Sequence, residues 1–291
     1  MKLILVHGIN QQGKDPDELK ATWLGHLARG LGRQLGDVEV VMPFYGGRLF
    51  DLTSGAGEGH VVAQGEGATE DGEAEFLALG LDEVAQGLGV SRQQIMAEQR
   101  LIDTEGQSEV VAQGFPMHRK INAVVRVIER LSPFHGRLIL PLLKQAHTYL
   151  RKPGAAEEVD AIVAPHLGER AIVVGHSLGT IVTFKLLRRR ALEGNPVKVP
   201  LYVTLGSPLP IMAVQNALGP RYEVPGGVSR WLNAIDPDDF ITLGSGLTRS
   251  SFADGIDNFL DIDNIAGDAH AIEGYLSDAR VARAIGEALA G

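Results

Sequence analysis

The pentapeptide Gly175-His176-Ser177-Leu178-Gly179 restricts the fold more than any other segment, because of the residues on either side of it. Residues 171–174 before it are apolar and predict a strand, and residues 180–191 after it have helical character. A serine between a strand and a helix, with glycines two positions away on both sides, predicts a sharp turn that lifts the hydroxyl above the sheet. Ser177 is therefore a candidate nucleophile, and an ordinary turn serine is the alternative.

A serine hydroxyl needs a base to take its proton at neutral pH. His270 is the last of the nine histidines and the one that follows Ser177 along the chain. It comes after a short loop that follows a predicted strand at residues 259–262. Its position after a strand near the C-terminus makes His270 the candidate base. A packing or surface histidine is the alternative.

A third group has to orient the imidazole, and three aspartates follow the predicted strand at residues 231–235. Asp236 comes directly after the strand, and Asp238 and Asp239 follow in the same loop. One of the three can face the imidazole, and the others would then cap the loop or carry solvated charge. The sequence pattern alone does not decide which of the three aspartates orients the imidazole.

The predicted strands alternate with helical segments, which indicates an α/β fold. The strands fall at residues 2–6, 38–42, 171–174, 201–205, 231–235 and 259–262. This alternation predicts a mainly parallel, twisted sheet with helices on both faces. The first crossover helix is expected within residues 15–35 and a closing helix at residues 277–289. Function is expected at the carboxyl ends of the strands.

These motifs together resemble α/β-hydrolases of the lipase/esterase type. The matching residues are Val6-His7-Gly8-Ile9-Asn10, Gly175-His176-Ser177-Leu178-Gly179, Leu205-Gly206-Ser207-Pro208, the segment 233–241 and His270. The resemblance covers the core strands and the loops after them. It implies an α/β-hydrolase fold in which the catalytic residues follow one another as serine, acid and histidine.

The resemblance also distinguishes between the candidate acids. Related lipase-like families often carry Asp-x-Val at the end of the acid loop, which is similar to Asp239-Phe240-Ile241. This favours Asp239, with Asp236 as the competitor. By the same match, the backbone N–H groups of Ile9 and Leu178 are the expected oxyanion-hole donors.

The connection after residue 45 is far longer than a crossover requires. A crossover usually takes roughly 10–20 residues, and this one has over a hundred. It contains helix-like stretches at residues 73–88, 91–102, 118–131 and 137–151. We therefore expect a hydrolase core made of residues 1–45 and 156–291, and a mostly helical inserted cap or lid at residues 46–155.

The charges of the insertion are segregated. Residues 51–115 hold thirteen Asp or Glu against two Arg, and residues 116–153 hold eight Lys or Arg against one Glu. The basic half carries an apolar stripe at helical spacing, made of Ile121, Val124, Val125, Ile128 and Leu131. The favoured interpretation is that the stripe packs on the core while the basic face pairs with the acidic half. Peripheral contact of residues 118–152 with an anionic membrane is the alternative.

The composition of the chain excludes several classes of chemistry and partner. The chain has no cysteine, which excludes disulfides and thiolate chemistry and fits a reducing compartment. A net charge of −9 argues against a nucleic-acid partner. The sequence contains no phosphate-binding glycine loop and no zinc motif, so no cofactor or metal is expected. The chain opens with a strand pattern rather than a signal peptide, which predicts a cytoplasmic protein.

The expected activity is that of a serine hydrolase acting on a carboxylic ester of a lipid or small acyl substrate, through a Ser-His-Asp triad and an acyl-enzyme. The same groups would serve a thioesterase, an acyltransferase or a serine peptidase, because a fold does not select a substrate. A binding module that keeps the fold without turnover is the alternative from another class.

Overall fold

The computed structural model describes residues 1–55, 66–105, 116–131, 133–168 and 170–291. Within these residues the protein has an α/β fold built on one six-stranded sheet, in which every strand pair is parallel. The strand order across the sheet is β2-β1-β3-β4-β5-β6. The strands are β1 (Lys2–Val6), β2 (Glu39–Val41), β3 (Ala171–His176), β4 (Tyr202–Leu205), β5 (Trp231–Ala234) and β6 (Asp257–Phe259). The predicted parallel sheet is confirmed.

Eleven helices surround the sheet in the described part of the chain. They are α1 (Pro16–Leu31), α2 (Gly46–Ser54), α3 (Glu66–Gly87), α4 (Arg92–Glu105), α5 (Pro116–Leu131), α6 (Pro133–Arg151), α7 (Ala155–Val163), α8 (Leu178–Leu192), α9 (Met212–Leu218), α10 (Ile272–Ser277) and α11 (Ala279–Ala290). Successive strand residues point to opposite faces, so β1 sends Leu3 and Leu5 to one core and Ile4 and Val6 to another. Helices α1, α10 and α11 contribute to the first core, and α2 to α9 to the second.

The first crossover helix shows how the sequence sets the ends of an element. Asp15 caps α1 by accepting the N–H groups of Asp17 and Glu18, and Gly32 ends it in the left-handed conformation. The buried face of α1 holds Leu19, Trp23 and Leu27 at helical spacing, which places this helix against the sheet.

The predicted element bounds differ from the structure most clearly at the edges. The edge strand β6 lies at Asp257–Phe259, earlier than the predicted residues 259–262, and β2 is shorter than residues 38–42. An edge strand has one hydrogen-bonded neighbour, so its ladder ends where the chain turns away. At the C-terminus the predicted closing helix corresponds to α11, which starts at Ala279 because Asp278 is extended and caps it, and α10 before it was not predicted.

The insertion packs as part of the molecule's second core. Residues 56–65 and 106–115 of the predicted cap lie outside the described residues. Leu81 of α3, Val124 of α5 and Leu143 of α6 are buried in the same apolar cluster as Ile181 of α8 and Val173 of β3. The helical insertion therefore continues the core that covers one sheet face. Its action as a lid stays a prediction.

The apolar stripe of α5 faces inward. Ile121, Val124 and Ile128 are buried, and Leu131 at the end of α5 is exposed. On the basic side, Lys120 pairs with Asp82 of α3, and Arg130 pairs with the buried Glu98 of α4.

These contacts match the interpretation in which the basic half of the insertion pairs with its acidic half. Membrane contact through residues 118–152, of which residue 132 is not described, stays a prediction. No helix in the described ranges combines the length and apolarity needed to cross a bilayer.

Candidate active site

Ser177 is the one residue between β3 and α8, and its backbone has φ 54° and ψ −127°. A non-glycine residue held in such a sparsely populated region costs about 1–3 kcal/mol and needs its surroundings to hold it there. The Ser177 N–H donates to the carbonyl of Leu205 at 3.0 Å, and the Ser177 carbonyl accepts the N–H of Thr180 at 2.9 Å. A sharp strand–turn–helix therefore presents this serine at the carboxyl end of β3.

The loop that follows β1 lies directly against Ser177. A Cβ atom built on Gly8 would lie 2.6 Å from the Cβ of Ser177, closer than such atoms approach in proteins. Val6 pairs with Gly175 in the sheet register, so β1 and β3 end side by side. The absence of a side chain at Gly8 is what lets this loop approach the serine.

His270 and Asp239 form a buried pair at the same sheet edge. His270 Nδ1 lies 2.8 Å from Asp239 Oδ2, and the two side chains are 6% and 0% exposed. The other carboxylate oxygen of Asp239 accepts the N–H of Ile241 at 3.1 Å. Because a carboxylate can only accept, Nδ1 of the neutral ring carries the proton and Nε2 keeps a free lone pair. The ring is therefore in the tautomer that can accept a proton at Nε2.

Gly206, directly after β4, lies between this pair and the strand end that bonds to the serine. A Cβ atom there would lie 2.8 Å from Asp239 Oδ2 and 3.0 Å from His270 Nδ1. The residue before it, Leu205, accepts the Ser177 N–H. In the described residues, Ser177 Oγ and His270 Nε2 are both buried and have no hydrogen-bond partner. These are the two atoms between which a proton would pass if the serine acted as a nucleophile.

The other two aspartates of the acid loop do not bond to the imidazole. Asp236 accepts the backbone N–H of Asp238 at 2.7 Å and that of Asn264 at 2.9 Å, so it ties the acid loop to the loop that carries His270. Asp238 itself is exposed. Asp239, which the resemblance favours, is the aspartate that bonds to the histidine, and Asp236 has a supporting position.

The two predicted oxyanion donors are Leu178, which directly follows Ser177, and Ile9, which directly follows Gly8. Leu178 is the first residue of α8, where a backbone N–H has no acceptor in its own helix and the helix dipole favours negative charge. Ile9 is buried in the loop that contacts Ser177. Leu178 thus adjoins the candidate nucleophile, and Gly8, the residue before Ile9, lies against it.

His7 fixes the peptide that precedes Ile9. The Tyr45 N–H donates to His7 Nε2 at 3.2 Å, so Nδ1 carries the proton and donates to the Gly8 carbonyl at 2.9 Å. The peptide is trans, so the N–H of Ile9 points away from that carbonyl. Burial lowers the pKa of His7 to about 4, which keeps the ring neutral and able to accept the Tyr45 N–H at neutral pH.

The sequence analysis missed two residues of this site. Tyr275 of α10 donates its hydroxyl proton to Asp239 Oδ2 at 2.7 Å and accepts the N–H of Asp236 at 3.1 Å. His176, the neighbour of Ser177, donates from Nε2 to the carbonyl of His270 at 2.9 Å. His176 stands inside the pentapeptide, but its partner is 94 residues away, so no local pattern reveals the contact.

Burial keeps both of these side chains uncharged. Desolvation lowers the pKa of His176 well below its ordinary value, and the nearby His270 acts in the same direction. Desolvation raises the pKa of Tyr275 well above its ordinary value, and the charge of Asp239 raises it further. A neutral tyrosine and a neutral histidine therefore support the Asp239–His270 pair at neutral pH.

No cluster of three potential metal ligands occurs among the residues that the structure describes. A surface pocket of about 570 Å³ lies beside the acid loop, between Asp236 and the segment 261–269. Two of its four aspartates are engaged: Asp236 binds two backbone N–H groups, and Asp261 pairs with Arg280. Neither Ser177 nor His270 lines this pocket, so it is separate from the candidate nucleophile and base.

Comparison with protein-family models, with curated proteins and with solved structures gives no match to this chain.

Proposed function

We propose that the protein is a serine hydrolase of the α/β-hydrolase type that cleaves carboxylic esters of lipid or small acyl substrates. One observation carries the proposal. The bond from His270 Nδ1 to Asp239 leaves Nε2 free, at the same sheet edge as the unpartnered hydroxyl of a serine held at positive φ. Unpaired buried polar atoms and strained backbone both cost free energy in a folded protein, and both are typical of functional sites.

In the proposed mechanism, Ser177 Oγ attacks the acyl carbon while His270 Nε2 takes its proton. Asp239 holds the ring in the required tautomer and stabilises the imidazolium that forms. His270 then protonates the departing alcohol. Water, activated by the same nitrogen, cleaves the acyl-enzyme and restores the serine.

The negative oxygen of the tetrahedral intermediate would be held by the N–H groups of Ile9 and Leu178. Removing one such donor in comparable sites costs about 3–4 kcal/mol of transition-state stabilisation. The bond from His7 to the Gly8 carbonyl supports this role, since it fixes the Ile9 N–H in advance of the reaction.

We propose that the insertion limits access to the serine. Ser177 is 1% exposed. Helix α3 of the insertion contacts both α9 and the short turn Phe240–Thr242 that follows Asp239. Glu83 of α3 accepts the N–H of Met212 at 2.7 Å, which fastens the insertion to the start of α9. This arrangement suits a substrate that enters past the insertion.

The proposal is tested by intact-mass measurement after incubation with a small fluorophosphonate, which reacts with activated serines. We expect one adduct on the wild type and none on Ser177→Ala. Ser207→Ala is the matched control, because Ser207 is also a buried serine after a strand but its hydroxyl is bonded to Thr180. This variant should be labelled like the wild type.

Absence of an adduct on folded wild type would contradict the enzyme and favour a binding module. If the adduct forms, p-nitrophenyl esters of increasing chain length, compared with thioester and anilide analogues, define the acyl group and the bond cleaved. Faster turnover of the thioester or the anilide than of every ester would overturn the ester assignment.

A further inference from the structure

Asp239 Oδ2 accepts hydrogen bonds from two different side chains. His270 Nδ1 lies 2.8 Å from it and the Tyr275 hydroxyl lies 2.7 Å from it. The direction of the tyrosine bond is fixed by its second contact, since the Asp236 N–H donates to the same hydroxyl at 3.1 Å. Tyr275 has one proton, so that proton goes to Asp239.

We propose that Tyr275 is a positioning residue that holds the Asp239 carboxylate and lowers the proton affinity of His270 by sharing Oδ2. The proposal rests on the proposed function, because it assigns a role to the base of that reaction. It extends the Ser177–His270–Asp239 constellation by a fourth side chain.

The physical argument concerns the charge on one oxygen. A hydroxyl that donates to a carboxylate oxygen draws negative charge toward itself, which leaves less for the neighbouring imidazolium. Tyr275 is completely buried, so water does not screen the effect. Without the hydroxyl, Asp239 would stabilise protonated His270 more strongly. The pH at which His270 becomes able to act as a base would then rise.

Other titratable groups face the same imidazole and must be separated from Tyr275. The His176 ring packs against that of His270, with 4.8 Å between centroids. Asp268, in the loop that carries His270, accepts its backbone N–H at 3.2 Å. Asp236 contacts Tyr275 through its backbone N–H, while its own carboxylate is bound to two backbone groups. Replacing the hydroxyl of Tyr275 leaves all these groups in the protein.

The test is a pH titration of His270 by ¹⁵N NMR of histidine-labelled protein, with His270→Gln identifying its resonances. In Tyr275→Phe we expect the His270 resonances to titrate at higher pH than in the wild type. The acid limb of the fluorophosphonate labelling rate should move upward with it. An unchanged His270 pKa in Tyr275→Phe would overturn the proposal.

Tyr149→Phe is the matched control. The Tyr149 hydroxyl also donates to a buried carboxylate, that of Asp160, at 2.6 Å. Asp160 binds Lys185 and Arg189 at the α7–α8 contact and not His270. Tyr149→Phe should lose stability as Tyr275→Phe does, without moving the His270 titration. An equal shift in both variants would show a general effect of a buried tyrosine and overturn the specific role.

A second change covers the case in which Tyr275→Phe does not fold. Site-specific incorporation of 3-fluorotyrosine at position 275 keeps the ring and strengthens the hydroxyl as a donor, so the His270 pKa should fall. A rise or no change would contradict the proposal. The NMR readout also separates the two hypotheses: an expected shift without labelling of Ser177 would reject the hydrolase, and labelling without a shift would reject the role of Tyr275.

Discussion

The rings of His176 and His270 pack against each other with centroids 4.8 Å apart, and His176 Nε2–H donates to the His270 carbonyl. The sequence neighbour of the candidate nucleophile Ser177 thus anchors the backbone of the candidate base. Because His176 ends β3 and Ser177 directly follows it, one strand end positions two members of the site. His270 is held through its carbonyl by His176 and through its ring by Asp239.

His176→Phe tests this anchor, since it keeps an aromatic ring and removes the donor. Fluorophosphonate labelling of Ser177 should slow by about ten- to a hundredfold, because a small displacement of a reacting group costs this much. His147→Phe is the matched control: His147 is half-buried against Phe76 in the insertion, and its replacement should leave labelling unchanged. Equal labelling rates for His176→Phe and wild type would refute the anchoring role.

The neutral state of His7 makes stability depend on pH. Its pKa is about 4 in the folded protein against an ordinary value of 6.5, so the unfolded chain binds more protons between these two values. The free energy of unfolding should therefore fall as the pH falls through this window. From pH 7 to pH 5 the contribution of His7 amounts to about 2 kcal/mol.

Urea denaturation at pH 7 and pH 5 checks this value. We expect His7→Gln to be less stable than wild type at pH 7 but to lose about 2 kcal/mol less on acidification. The pH dependence of stability that remains in His7→Gln includes a contribution from His176, whose pKa is shifted in the same direction. A pH dependence identical in both proteins would mean that His7 is not held neutral.

We expect substitution of Asp239 to reduce mainly the reaction rate and substitution of Asp236 to reduce mainly the stability of the fold. In Asp239→Asn the imidazole loses the partner that fixes its tautomer, and turnover should fall about 10⁴-fold, as in comparable triads. In Asp236→Asn one of two bonds to backbone N–H groups is lost, so the variant should be about 1–3 kcal/mol less stable with a near-normal rate. Ester kinetics and urea denaturation of both variants measure this crossed pattern. The reverse pattern would move the acid role to Asp236.

Gly8→Ala tests the approach of the loop to the serine. The added methyl group would lie 2.6 Å from the Cβ of Ser177, so the loop carrying Ile9 must move, and the labelling rate should fall at least a hundredfold. Gly25→Ala is the control, because Gly25 lies exposed in α1 with open space around it. It should raise stability by about 0.5–1 kcal/mol and leave labelling unchanged. Wild-type labelling of Gly8→Ala would contradict the contact.

Local sequence patterns were sufficient to predict the elements of the fold that are set by the residues within them. The apolar runs at β1, β3, β4 and β5 predicted the sheet, and the spacing of Leu19, Trp23 and Leu27 predicted α1. The site loops followed from the rule that parallel strands expose their carboxyl ends at one edge. The sequence was therefore sufficient to predict that Ser177, Asp239 and His270 lie at one sheet edge.

Contacts that depend on three-dimensional packing could not be predicted from the sequence. The residue pattern alone does not distinguish Asp236, Asp238 and Asp239, and the preference for Asp239 came from the family resemblance. In the structure the bonds to Asn264 and His270 distinguish Asp236 from Asp239. Helix α10 has six residues, too few for a periodic pattern, so Tyr275 could not be placed. The start of α3 at Glu66 was also missed, because its glycine- and glutamate-rich sequence has no clear apolar face.

The shared core of the insertion has a consequence for protein engineering. Leu81, Val124 and Leu143 belong to the cluster that also contains Val173 of the sheet. A shortened chain in which residues 46–151 are replaced by a linker would expose the apolar surface of α8 that they now cover. Such a protein should aggregate rather than behave as a minimal catalytic domain. Variants intended to widen access to Ser177 are better made by single substitutions along α3 and α9 than by deletion.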